Sequence, residues 1–237
     1  TVGRWPLRRV EPGRPLHRAA AANAALDAAQ GDWLLFLDDD DTLDPPQLGR
    51  LLQAAQALPP VHAVYTGVRR VQADGQVEGV LDEAFDARRL WLANFLPIHA
   101  VLFSRELVGR GCRFDEAFEV YEDWDFWHQV ARHGSLRHVD GVSATYRLVG
   151  DSGLSADRDE ARSLAHRQRF YAKWLPRLDA TEAEQVATYA ELTRGRLADL
   201  HQLHTQAVAA LTQRDQQLAQ VQAEAAAAHD TAAAAAR

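Results

Sequence analysis

Methionine is absent from the 237 residues, so Thr1 is not a translational start and the chain is expected to be an N-terminally truncated fragment. Cysteine occurs once, at Cys112, which excludes an internal disulfide and fits a reducing cytoplasm. Lysine also occurs once, at Lys173; every other basic residue is Arg, a bias of composition from which no function is read. A basic balance is missing as well: 33 acidic side chains against 26 basic ones give a formal charge of −7. That is the wrong sign for a protein whose main work is neutralising nucleic-acid phosphates, so no nucleic-acid partner is expected. No apolar run approaches the roughly 18 residues of a membrane helix, and no signal-peptide pattern opens the chain.

What is present is globular in character, with 47% apolar, 25% charged and 8% aromatic residues. The spacing predicts a helix over Pro15–Gln30, stopped at Gly31. The run Trp33-Leu34-Leu35-Phe36-Leu37 then reads as a strand buried on both faces of a parallel sheet. Asp44 is placed to cap a helix beginning at Pro45-Pro46 and ending before Pro59-Pro60. Val61–Thr66 and Val68–Gln72 are expected strands, and Asp74-Gly75 marks a hairpin turn before Val77. Further elements are a strand over Ile98–Phe103, helices over Arg105–Gly109 and Glu122–His133, and a strand over Val142–Leu148.

Beyond about Asp159 the pattern is helical, and past Thr181 it is rich in Ala, Gln and Glu. Leu197, Leu200, Leu211, Leu218 and Val221 fit a heptad seam, although the same register places His204, Ala207 and Arg214 inside it. A self-associating coiled coil and a solitary Ala-rich helix are both compatible with this tail. The expected organisation is 1–155 for a catalytic-type domain, 156–180 for a helical closing segment and 181–237 for a helical extension.

Two acidic clusters carry the chemistry. Asp38-Asp39-Asp40-Asp41 directly follows the predicted buried strand, where ligands bind in open α/β sheets. Alternation along the strand sends Asp38 and Asp40 to one side and Asp39 to the other, and paired carboxylates suit a hard cation such as Mg²⁺ or Mn²⁺. A merely solvated acidic loop is the plainer alternative. The second cluster is Tyr121-Glu122-Asp123-Trp124-Asp125, with three carboxylates in a first helical turn, where dipole compensation alone would explain them. Read functionally, one carboxylate takes a proton from an acceptor hydroxyl, and Trp124 offers a flat apolar surface to a sugar ring. Proximity to a helix N-terminus predicts a low pKa for Asp123.

Taken in order, Asn23 in the Ala-rich helix, Gly31-Asp32-Trp33-Leu34-Leu35-Phe36-Leu37-Asp38-Asp39-Asp40-Asp41, and Phe114-Asp115-Glu116 leading into Tyr121-Glu122-Asp123-Trp124-Asp125 resemble a bacterial family 2 glycosyltransferase. The resemblance spans roughly Leu7 to Gly150 and implies a GT-A (Rossmann-like) α/β fold, a mixed sheet flanked by helices. It implies that Asp38 and Asp40 form the DxD motif that holds Mg²⁺ or Mn²⁺. The same resemblance puts Asn23, Asp38, Asp39 and Asp40 at the nucleotide-sugar and makes Asp123 the catalytic base of an inverting transfer. Glu122, Trp124 and His99 are the expected acceptor-side residues, His99 equally reading as a satisfied structural residue. The implied partners are a nucleoside-diphosphate sugar such as a UDP-sugar and a glycan or lipid-linked acceptor, in envelope polysaccharide or glycan assembly at the cytoplasmic face of the membrane. Such a fragment, lacking the nucleoside-binding strands, is expected to be inactive by itself.

Two departures qualify the resemblance. The family's A-R-N-x-G reads Ala21-Ala22-Asn23-Ala24-Ala25, and neither Arg14 nor Arg18 is assigned the missing arginine's place. No histidine follows Tyr146-Arg147. A non-catalytic interaction module, a degenerate transferase domain presenting a self-associating helical tail, is therefore the alternative of a different class. A metal-dependent nucleotidyltransferase would need a Gly-rich phosphate loop, which these residues do not contain.

Overall fold

The computed structural model describes residues 6–11, 13–57, 61–148 and 160–235. Pro59, Pro60, Val149, Gly150 and Asp159 fall outside them, as does the side chain of Val221. The chain packs as two units, Thr1–Ala183 and Glu184–Arg237.

The first unit is a mixed sheet flanked by helices. Its centre is β3 (Ala63–Gln72), whose first six residues are all buried because it has a strand on each side. β5 (Val101–Ser104) pairs antiparallel with its first half and β6 (Leu136–Leu148) runs parallel along its length. β1 (Trp33–Leu34) extends the sheet beyond β5, β2 (Thr42–Leu43) pairs with β6, and β4 (Val77–Leu81) folds back on β3. The two predicted strands before Gln72 are thus one strand. The Asp74-Gly75 turn forms as expected, with Gly75 at φ +87 and its N–H donated to the Gln72 carbonyl at 2.9 Å.

Helices cover the sheet: α1 (Arg18–Ala28), α2 (Gln47–Ala57), short α3 (Ala87–Leu90) and α4 (Glu106–Gly109), α5 (Glu122–His133) and α6 (Glu160–Trp174). Asp44 does not cap α2 with its side chain. Its carboxylate is drawn to the Arg69 guanidinium at 2.6 and 3.0 Å, because an ion pair with two charge-assisted hydrogen bonds outcompetes a single amide.

The apolar run after Gly31 differs from the expectation. Only Trp33 and Leu34 join the ladder, antiparallel to β5 at the edge, since one neighbouring strand is available. Its alternating side chains are still covered on both sides. Trp33 and Leu35 pack against Leu51, Ala55, Val64 and Leu102, while Phe36 lies against the rings of Phe103 and Phe114.

A second core joins α5 to α6. Trp124 stacks on Phe170 with centroids 3.9 Å apart, and His128 sits between Trp91 and Trp174. Burial holds the His128 imidazole neutral, its pKa pushed down to about 3. Asp125, fully buried, accepts hydrogen bonds from Lys173 Nζ, Trp174 Nε1 and Gln129 Nε2, all at 2.8 Å. The chain's single lysine therefore anchors α6 on a carboxylate that would otherwise be an unpaired buried charge. The buried Cys112 thiol is pushed up to about 11 by desolvation, which leaves it unreactive.

Gly134 ends α5 where β6 must begin directly beside His62. A Cβ there would lie 2.6 Å from His62 Cβ and 3.1 Å from Leu107 Cδ2. Gly134→Ala is accordingly expected to destabilise the domain by about 1–3 kcal/mol in urea denaturation, the cost of overpacking a rigid contact.

The described residues of the second unit lie within α7 (Ala180–Ala235), uninterrupted by Gly195. Its residues from Arg194 to Gln220 are all exposed. No helix among the described residues is long and apolar enough to cross a membrane.

Candidate active site

The acidic run leaves β1 as a turn, with Asp41 N–H donated to the Asp38 carbonyl at 3.3 Å. This turn brings carboxylate oxygens of Asp38, Asp40 and Asp41 within 4.8 Å of one another and leaves Asp39 exposed outside the group. Asp41 is buried and hydrogen-bonded through one of its two oxygens. Its Oδ1 accepts the Arg147 backbone N–H at 2.9 Å, and its Oδ2 lies 2.7 Å from His99 Nδ1. Desolvation pushes the Asp38 carboxyl above its ordinary range, the neighbouring Asp41 and Asp40 charges add to this, and Arg18 opposes it.

The second cluster is set by α5. Tyr121, just before it, is the only described non-glycine residue with positive φ, at 64°, a costly conformation that aims the first turn. Glu122 is 4% exposed and lies 3.4 Å from Arg18 Nη1. Burial first, and the adjacent Asp123 second, push its pKa up to about 7 against the pull of Arg18. Asp123 accepts the Trp124 N–H and the Asn94 side-chain amide, both at 2.8 Å. Its pKa is raised, not lowered as the helix N-terminus alone suggested, because desolvation exceeds what the Trp124 N–H, Arg18 and Asn94 together contribute.

Both clusters line one cavity of about 320 Å³, with Asp38, Asp40, Glu122 and Asp123 in its wall. Arg18 spans them: Nη2 is 3.4 Å from Asp38 Oδ2 while Nη1 reaches Glu122. Arg18 lies one helical turn before Ala22 and on the same face of α1, so the i, i+4 spacing was the signal that could have singled it out. Asn94 lies in a loop, and nothing in its sequence neighbourhood marks it.

Three of the expected site residues make their contacts within the domain. Trp124 does not offer its ring to an acceptor: it is 1% exposed, stacked on Phe170, and its Nε1 donates to the Leu90 carbonyl. A helix face this apolar finds more area inside than at a polar cavity. His99 has no exposed surface and stands behind Asp41 with Tyr146 stacked on it. Asn23 is a strut, its amide exchanging hydrogen bonds of 2.9 and 3.0 Å with the Phe114 backbone and reaching Glu116.

The donor set fits a divalent cation. Asp38 and Asp40 supply hard oxygen ligands, Asp41 Oδ2 beside them makes no hydrogen bond, and Asp38 carries a charge cost, only partly offset by Arg18, that a cation would reduce.

A prediction follows from the sign of the Glu122 shift. An acid whose folded pKa lies above the ordinary value of 4.5 contributes stability that is complete below that value and is lost as pH rises through about 7. Glu122→Gln should therefore raise the melting temperature at about pH 8, and the gain should shrink toward zero by about pH 4.5 in thermal scans.

Residues 4–109 match the family described as Glycosyl transferase family 2. Over that stretch the chain is similar to glycosyltransferase family 2. The matched stretch contains Asp38 and Asp40 and stops before Glu122 and Asp123. Among curated relatives, the chain is 34% identical to the succinoglycan biosynthesis protein ExoO of Rhizobium meliloti over 120 residues, 44% of this chain and 34% of that protein. It is 31% identical to a PGL/p-HBAD biosynthesis glycosyltransferase of Mycobacterium bovis over 138 residues, 57% of this chain and 52% of that protein. The chain thus spans at most about half the length of either. Crystalline S. aureus TarS 1-349 in complex with UDP-GlcNAc is similar at a TM-score of 0.46 and 14% identity, covering 67% of this chain and 52% of TarS 1-349, a likeness too slight to carry an argument.

Proposed function

We propose that this domain transfers a sugar from a nucleoside-diphosphate sugar, a UDP-sugar, to an acceptor hydroxyl with inversion at the anomeric carbon. The observation that carries the reading is the single cavity onto which both acidic clusters open, bridged by Arg18. Asp123 is the base: its carboxylate, held by Asn94 and the Trp124 N–H, accepts the acceptor's proton as that oxygen bonds to the anomeric carbon and the sugar–phosphate bond breaks. Its raised pKa makes it a better base than an exposed aspartate. Glu122 shares Arg18 and lines the acceptor side.

Asp38 and Asp40 would hold Mg²⁺ or Mn²⁺, which when bound supplies charge neutralisation for a departing diphosphate. Arg18, 46% exposed beside Asp38, is placed to bind the same diphosphate. A glycan or lipid-linked acceptor, in polysaccharide assembly, is the class that the named relatives support.

The test is release of UDP from a panel of UDP-sugars by the protein carrying this chain, with Mn²⁺ and after chelation. Metal-dependent release that Asp123→Asn removes supports the proposal. Failure of every nucleotide-sugar to bind would overturn it in favour of the non-catalytic interaction module.

A further inference from the structure

We propose that the Glu184–Arg237 unit pairs with a second copy of itself as an antiparallel two-stranded coiled coil centred near Ala209. The helix is continuous through this stretch, and its large aliphatic side chains lie in water: Leu200 is 61% exposed, Leu211 and Leu218 51%, Val208 47%. Charge complementarity decides both the occupant and its direction.

With Leu197, His204, Leu211 and Leu218 at a and Leu200, Ala207 and Arg214 at d, a parallel pair in register sets each Arg214 against its own copy. It also sets Arg196 at g beside His201 at e of the other chain. Like charges then meet in the seam at Arg214. Reversing one chain makes a face d. Leu200 now meets Leu218 of the second copy, and Ala207 meets Leu211, a small residue opposite a large one. Arg214 meets the imidazole of His204, which accepts a hydrogen bond when neutral. The flanks change in the same sense. His201 faces Asp215, and Val208 faces Val208 across the two-fold axis. One register thus relieves the arginine repulsion, sets a hydrogen-bonding imidazole opposite Asp215 and covers the exposed valine. This is the arrangement in which His204, Ala207 and Arg214 cease to be faults in the seam.

The full chain should sediment as a dimer at tens of micromolar concentration. Leu211→Asp should weaken dimerisation by about a hundredfold or more while the circular dichroism of the first unit's aromatic core is unchanged. Direction is read by disulfide trapping, for which the buried Cys112 leaves a quiet background. Leu200→Cys mixed with Leu218→Cys should cross-link to each other, and Leu200→Cys alone should not. A monomeric parent chain overturns the pairing. Self-cross-linking of Leu200→Cys overturns the antiparallel register.

Discussion

Asp123→Asn is expected to lower kcat for sugar transfer by about a thousandfold while leaving nucleotide-sugar affinity within about twofold. The substitution keeps the shape of the side chain and removes its ability to take a proton. It also removes a charge whose burial is unfavourable, as the raised pKa shows, so the fold should persist. One cost is local: the new amide cannot accept from both the Trp124 N–H and Asn94 with the ease of a carboxylate, a loss of about 1 kcal/mol. A drop in kcat without a change in binding is the signature of an interaction made only in the transition state. The rival is Glu122, whose pKa near 7 is well matched to base catalysis. Its oxygen is tied to Arg18 and it is almost wholly buried, which places it behind the reacting atoms. Should Glu122→Gln abolish turnover and Asp123→Asn spare it, the assignment of the base is reversed.

Replacing Asp38 and Asp40 together with Asn is expected to weaken Mn²⁺ binding by about a hundredfold or more and to abolish metal-dependent transfer. The loss follows from the donor set, because both carboxylates become neutral amides and the remaining Asp41 is buried, with one oxygen bound to the Arg147 amide. The same variant should melt above the parent when no divalent cation is present. Asp38 has a raised pKa, so at neutral pH its charge works against folding, and removing it relieves the mutual repulsion of the turn. Titration calorimetry with Mn²⁺ alone and a thermal scan in chelator read the two effects separately. Unchanged Mn²⁺ affinity would refute the site, whatever happened to activity.

The distance between residue pattern and working site is shortest at the acids. Asp38 and Asp40 could be picked out because a charged run directly after an apolar strand is unusual, and Glu122 and Asp123 because they open an amphipathic helix. Side-chain direction was not legible in the same way. Trp124 and His99 are residue types that serve both cavities and cores, and only the packing of α5 against α6, and of Asp41 against the helical turn Ile98–Ala100 before β5, committed them to the interior. Arg18 and Asn94 stayed hidden for the opposite reason. Each acts across a long sequence separation, Arg18 reaching Glu122 and Asn94 reaching Asp123; the i, i+4 spacing from Ala22 hints at the face of Arg18 but not at its partners, and nothing local marks Asn94.

The sequence by itself determined the element types and the two acidic clusters, since periodicity, turn chemistry and charge runs are local properties of the chain. Tertiary structure decided that both clusters share one cavity and that Arg18 joins them. It also decided that Asp123 is made more basic, not less. Desolvation depends on everything that surrounds a group, and a helix dipole only on its own turn. The absence of methionine told only of the chain's first residue, and the scarcity of lysine acquired a meaning in the fold: the one that is there closes α6 over the buried Asp125.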